Sequence, residues 1–178
     1  MTLVPRSAMT VEQVLTVLRE TPDRLAALTD VATPAQLRAV PKPGEWSATE
    51  VLAHLRSCGD VWGQAIEVIG AEDHPTLRAV NPTTWIDSTD YRELEFRSSL
   101  QAFTRQRARL LAVLESLPLD GWSRNAIVLG AGRPIERSVH NYAERLARHE
   151  RAHWKQGEET VKAVVGSSVG AAGPTHRR

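Results

Sequence analysis

Apolar residues recur at three- and four-residue intervals along four long segments of this chain, and no stretch alternates strongly with the period of two that a half-buried strand requires. Helical stripes must be buried against one another, so the pattern predicts an all-α fold, a four-helix bundle with long crossover connections. In the first segment Val14, Leu18, Leu25 and Leu28 keep one phase through Pro22, which reads as one kinked helix rather than two. It starts at Thr10, with Gln13 placed to complete a capping box. The second start is the clearest. In GEWSATEVLAHL, Ser47 and Glu50 form a capping box, while Trp46 and Val51 sit where a hydrophobic staple needs them. Its stripe of Val51, Leu55, Cys58, Trp62, Ile66 and Ile69 runs to about Gly70. A third helix starts near Asp90, with Glu93 in support, and ends before Pro118. Its stripe is Phe96, Leu100, Phe103, Arg107, Leu110, Leu114 and Leu117. The fourth spans about Pro134 to Val165.

The connections differ in kind. TPAQLRAV reads as a short helix, capped by Thr33, opened by Pro34 and closed by Pro41. Residues 70–89 hold two prolines and no period, and a connection that long inside a compact domain is often functional. GWSRNAIVLGAGRP is turn-rich, with room for one short strand. Its GAG lacks the third glycine of a dinucleotide fingerprint. Antiparallel packing with at least one long crossover is the expected arrangement. Residues 1–9 read as a flexible start, residues 10–165 as the bundle domain, and residues 166–178, rich in Gly, Ser and Ala, as a disordered tail.

Bulk properties exclude several classes. With 178 residues the chain fits one domain, and 22 basic against 21 acidic residues leave a net charge of +1. No field of one sign exists to recruit nucleic acid or an anionic membrane. One cysteine, Cys58, rules out an internal disulfide and any Cys-rich zinc module. No apolar run approaches the ~18 residues of a membrane span, so the expectation is a cytoplasmic protein.

The chemistry concentrates in HERAH, residues 149–153. His149 and His153 are four apart, hence stacked on one helical face, and two imidazoles at that spacing can chelate one divalent ion. The string also matches the H-E-x-x-H of zinc peptidases, in which Glu150 would be the general base. A peptidase needs a third ligand downstream. Position 159 is Glu, and Glu158 and Glu159 are rotated ~140° and ~240° from His153, so neither closes a site. His54, on the second helix beside the Leu55–Cys58 stripe, would by itself be a satisfied core histidine; facing the pair across a bundle, it becomes the natural third ligand. Three imidazoles with an open position make a catalytic rather than a structural site. His140 lies about 180° around the helix from His149; His74 and His176 fall in a loop and the tail.

The spaced pattern W-S-x-x-E-x-x-x-H-L in PGEWSATEVLAHL, the mid-chain FTRQRARLLAVL, and H-x-x-x-H-x-x-Q in RLARHERAHWKQ together resemble the DinB/YfiT-like family over about residues 10–165. The resemblance implies a metal-binding four-helix bundle, often dimeric, with the triad carried by His54, His149 and His153. It also implies thiol-dependent transferase or isomerase chemistry with a small thiol of the mycothiol or bacillithiol type. Position 57 is Ser, where the family often has an acidic residue after the first ligand.

Remaining candidates follow from helical phase. Arg107 interrupts an apolar stripe and is either a structural partner or a clamp for an anionic cofactor. Glu150 lies ~60° from His153, within reach as a base, or is a solvated charge. Cys58 is a soft ligand or a small core hydrophobe. Trp62 and Trp154 flank the expected pocket or simply pack. The combined expectation is a divalent ion (zinc, nickel or iron) and a low-molecular-weight thiol acting on an electrophilic small molecule in a possible homodimer. The alternatives are a non-enzymatic bundle with a structural or vestigial metal site and a protein partner, and an H-E-x-x-H hydrolase.

Overall fold

The computed structural model of the protein describes residues 7–170. Four long helices carry it: α1 (Val11–Ala26), α4 (Ala48–Ala71), α6 (Phe96–Ser116) and α7 (Val139–Gly170), with short helices α2 (Leu28–Val31), α3 (Pro34–Arg38) and α5 (Pro82–Trp85) between them. The capping signals act where the sequence puts them. Thr10 with Gln13, Thr33 with Gln36, and Ser47 with Glu50 each close a reciprocal capping box. Pro22 lies inside α1, and the helical path bends at Ala27 before α2 resumes it.

Side-chain contacts give the directions. Gly59, Gly63 and Gly70 of α4 face Gln106, Leu110 and Leu117 of α6 in the same order, so these two helices run parallel. Met9, preceding α1, meets Glu144, and Arg24 stacks on Trp154, so α1 and α7 are parallel too. Trp46 meets Thr160 and Arg145 lies over Trp62, which makes α4 and α7 antiparallel. Arg19 meets Glu115 while Arg97 reaches Thr29, so α1 and α6 are antiparallel. Around the bundle the order is α1, α7, α4, α6. The expected all-antiparallel packing therefore holds for two neighbouring pairs and gives way to parallel packing in the other two. At Gly59 a Cβ would meet the amide end of Gln106, so glycine leaves room for that amide to donate to the Arg56 carbonyl and to Asp60.

Strands are present where little or none was expected. β1 (Thr76–Arg78) pairs parallel with β2 (Asn125–Leu129), which pairs antiparallel with β3 (Ile135–Ser138). At three to five residues each they are too short to show a period, and only Ala126 and Val128 of β2 are buried. β3 takes the residues read as the first turn of the last helix, which begins instead at Val139 and continues to Gly170 rather than ending near Val165. The third helix begins at Phe96, capped by Glu95, and not near Asp90. Residues 90–94 are held as a turn: Tyr91 donates to Asp60, and Arg38 donates to the carbonyls of Arg92, Glu93 and Leu94. The sheet covers one end of the bundle, where Arg124 caps α4 by donating to the Ile69 and Glu72 carbonyls. Of the flexible start expected at residues 1–9 and the tail expected at 166–178, residues 1–6 and 171–178 lie outside the described residues. Among the described residues no helix is long and apolar enough to cross a membrane.

The core has two apolar halves. One gathers Leu18, Trp62, Ile66, Ile69, Leu114, Trp122 and Leu146 at the sheet end; the other gathers Leu25, Leu37, Val51, Leu52, Leu55, Phe96 and Phe103. Between them Arg107 of α6 reaches across the bundle diagonal to Glu150 of α7, both side chains fully buried. Arg107 Nε and Nη1 and Glu150 Oε2 have no protein hydrogen-bond partner. Removing one member strands the other charge in a medium that solvates it poorly. Arg107→Met or Glu150→Leu alone should lower unfolding free energy by about 3–5 kcal/mol, whereas the double substitution should recover most of the loss. Urea denaturation of the three variants in metal-free buffer measures this; additive losses would show that the two charges are not coupled.

Candidate metal centre

His54 occupies the second turn of α4, on the side that faces α7. Because those helices are antiparallel, it meets one turn of α7, the turn from His149 to His153. His54 Nε2 and His149 Nε2 stand 2.9 Å apart. The His153 ring centroid lies 4.9 Å from that of His54 and 4.4 Å from that of His149. One ligating nitrogen from each of the three falls within 4.8 Å of the others. Among the described residues no other set of three His, Cys, Asp or Glu side chains comes together in this way. His153 Nδ1 pairs with the Gln156 side-chain oxygen at 2.8 Å, which assigns that nitrogen as the donor and leaves Nε2 as the lone-pair end. Trp46 stacks on His153 at 5.8 Å with 12° between the planes and meets His54 edge-on. Trp62 meets His149 edge-on at 5.1 Å.

His54 is buried, and His149 and His153 are half-buried. Burial, reinforced by neighbouring His153, holds His54 and His149 down at about 4, and burial lowers His153 as well. All three are therefore neutral at pH 7, the form in which imidazole donates a lone pair. This donor set fits a first-row divalent ion: three neutral nitrogens on two rigid helices, with His149 opening on a cleft. The cleft, of about 1080 Å³, lies between α4, α7, α5 and the sheet, with His149 and Ala152 on its α7 wall.

The other candidates are placed as follows. Arg107 and Glu150 bind each other in the core with no side-chain exposure, away from the cleft wall, so neither charge is presented to a ligand there. Cys58 Sγ is 3.6 Å from His54 Nε2, and burial pushes its thiol up to about 12, so it stays protonated. His140 Nε2 pairs with the Met9 carbonyl, and His74 Nδ1 with Asn125. His176 lies outside the described residues. Trp62 lines the cleft, whereas Trp154 packs elsewhere, under Arg24. Sequence reasoning missed Trp46 as the plate on His153, having assigned it only to the helix staple. It also missed Arg145, although its spacing of four from His149 signals a shared face.

The depressed imidazoles have a consequence for stability. In the unfolded chain they take up protons near pH 6.5; in the folded, metal-free chain His54 and His149 resist until about 4. Acidification through that window thus favours the unfolded chain, and stability is recovered as pH rises above it. Denaturant midpoints of metal-free protein should fall from pH 7.5 to pH 5, and His54→Gln should flatten that fall. A midpoint that holds between those pH values would refute the burial of neutral imidazoles.

No protein of curated function matches the chain in sequence. Among solved structures it resembles YfiT from Bacillus subtilis, a probable metal-dependent hydrolase with an unusual four-helix bundle topology. The TM-score is 0.74 at 20% identity, covering 89% of this chain and 91% of that one. It also resembles a mycothiol-dependent maleylpyruvate isomerase, with a TM-score of 0.61 at 15% identity; 83% of this chain is covered, and the match spans 60% of the isomerase. At these identities the likeness is one of fold. Sequence carries the relationship further: the profile of the DinB superfamily matches residues 17–156, a span that takes in all three converging histidines, and the chain belongs to that superfamily.

Proposed function

We propose that the protein is a metal-dependent enzyme that uses a low-molecular-weight thiol, of the mycothiol or bacillithiol type, to act on an electrophilic small molecule by transfer or isomerisation. The observation that carries this reading is the meeting of His54, His149 and His153 beside a cleft large enough for two small ligands. Bound to those three nitrogens, a zinc, nickel or iron ion supplies a Lewis acid that favours the deprotonated form of a coordinating thiol. The chain's own part is positional. Gln156 orients His153 through Nδ1, and the Trp46 plate covers that ring and limits water on its side. Trp62 holds His149 from the α4 side, and the cleft wall of α7 and the sheet keeps the second reactant next to His149. The likeness to an isomerase that depends on mycothiol supports the choice of thiol.

A second reading, metal-dependent hydrolysis, is favoured by the likeness to YfiT. It would have to proceed without Glu150 as base, because that carboxylate is turned to Arg107. The two readings separate in one assay set. Protein purified without an affinity tag should contain close to one divalent ion per chain by elemental analysis. It should turn over a thiol plus an electrophile such as a chlorodinitrobenzene or an epoxide. His149→Ala should stay folded by circular dichroism and lose at least about 100-fold in rate. Turnover of esters or amides without added thiol would favour hydrolysis. Stoichiometric metal with no turnover in either assay, and unfolding on metal removal, would make the ion a structural staple.

A further inference from the structure

The cleft beside His149 has an electrostatic character that the chain's near-neutral total hides. Four arginines and two carboxylates line it: Arg78, Arg137, Arg145 and Arg148 against Asp60 and Glu144. Both carboxylates are already engaged. Asp60 accepts from Tyr91 Oη at 2.7 Å, from Gln106 Nε2 at 2.6 Å and from Trp85 Nε1 at 3.3 Å. Glu144 accepts from the Met9 amide at 2.9 Å and from Arg148 at 2.6 Å, which also commits Arg148. Among the described residues no carboxylate pairs with Arg78, Arg137 or Arg145. Arg145 and Arg137 thus line one concavity with no counter-charge from the protein, and Arg78 borders it from β1.

Their placement is ordered relative to the histidines. Arg145 precedes His149 by one helical turn, and its guanidinium carbon lies 4.6 Å over the Trp62 ring, the same ring that meets His149 edge-on at 5.1 Å. A guanidinium stacked on an aromatic face keeps its N–H edge free for an oxyanion. Arg137 of β3, in register with buried Ala126, stands on the sheet wall of the same cleft, whereas Arg78 of β1, in register with Leu129, belongs to the other sheet face and borders the cleft at its edge. Gathering like charges around a hollow is unfavourable unless something anionic enters it, and the low-dielectric walls of a cleft strengthen that attraction.

We infer that this cleft takes a small molecule bearing carboxylate or phosphate groups, with Arg145 binding the oxyanion nearest His149 and Arg137 binding from the sheet side. The inference rests on the proposed function only in calling that molecule a reactant; the anion site itself does not require the ion. Size agrees. A volume of about 1080 Å³ is just above the roughly 300–1,000 Å³ of small-molecule pockets, which accommodates a thiol and a compact anionic partner together.

The test is a titration of succinate, inorganic phosphate and the uncharged succinamide into the full chain, by calorimetry or tryptophan fluorescence. It is run once with Zn²⁺ bound and once after metal removal and dialysis free of chelator. At least one of the two anions should bind the metal-free chain and succinamide should not; which anion binds tells carboxylate from phosphate recognition. Binding should weaken on raising salt from about 0.02 to about 0.5 M. Arg145→Gln and Arg137→Gln should each weaken it about tenfold; Arg137→Gln should leave the melting temperature in place, whereas Arg145→Gln also gives up the contact with Trp62 between α4 and α7. If Arg145→Gln melts early, Arg137→Gln carries the expectation by itself. Equal binding of succinate and succinamide would overturn the inference, as would variants that bind like the parent, or no anion binding at about 10 mM. Binding seen only with Zn²⁺ and indifferent to the arginines would overturn it too, since the anion would then sit on the ion alone. Failure of the parent to hold Zn²⁺ would instead count against the metal centre and leave the metal-free titration to be judged separately.

Discussion

The register of α4 against α7 is the constraint on which the histidine cluster depends. His54 meets His149 and His153 only while the two antiparallel helices keep their present offset, and a slip of one turn, about 5.4 Å, would carry it past both. Contacts on either side of the cluster hold that offset. Thr160 donates to the Trp46 carbonyl on one side, and Arg145 lies over Trp62 on the other. Between them Gly157 lies close to Leu28 and Val51, just beyond His153. Large apolar residues flank this level above and below, which leaves the polar groups of the seam gathered in one layer.

Rotation of α7 about its own axis is the second degree of freedom, and the Arg107–Glu150 pair addresses it. His149 and Glu150 are adjacent on α7, so their side chains diverge by about 100°. One points to α4 and the cleft, the other across the diagonal to α6. A buried carboxylate tied to a buried guanidinium is directional in a way that two leucines are not. It thereby fixes which face of α7 is turned to His54. The same pair is a poor source of net stability, because desolvating two charges offsets most of their attraction. Its value here lies in orientation. That the sequence offered Arg107 and Glu150 as ligand-binding or catalytic candidates is understandable: helical phase alone puts both near the histidines, and only the partner helix shows that they face each other.

How much was legible follows from where the signals are local. The caps at Thr10, Thr33 and Ser47 are events within four residues, and each forms as read, with Gln36 completing a box at Thr33 where a cap alone was expected. The histidine pair is likewise local to one helix, and the third member followed from the apolar phase of α4. What lay beyond the sequence was set by contacts between distant segments. Helix α6 begins at Phe96 because Arg38, far upstream, and Asp60, on another helix, take up the turn at 90–94. The strands escape notice because three residues of β1 become a strand only through pairing with β2, whose partners lie 51 positions later. Helix directions were also hidden, since parallel and antiparallel packing bury the same stripe. The positive cleft escaped as well: a charge balance over the whole chain averages away a local excess, and only the fold shows that Asp60 and Glu144 are spoken for while Arg145 is not.

The parallel pairing of α4 with α6 links these points. After α4 the chain emerges at the sheet end, yet α6 must start at the opposite end, so residues 72–95 have to travel back along the length of a 24-residue helix, about 36 Å. A segment that long lies over the bundle surface instead of closing it. On its way it supplies β1 and the α5 turn, while the link from α6 to α7 supplies β2 and β3 with Arg137. Those pieces form the wall opposite His149. An all-antiparallel bundle with tight loops would seat the same three imidazoles against bare solvent. The crossover converts that surface into a recess, and it is the stretch with the least periodic sequence that decides what the histidines can meet.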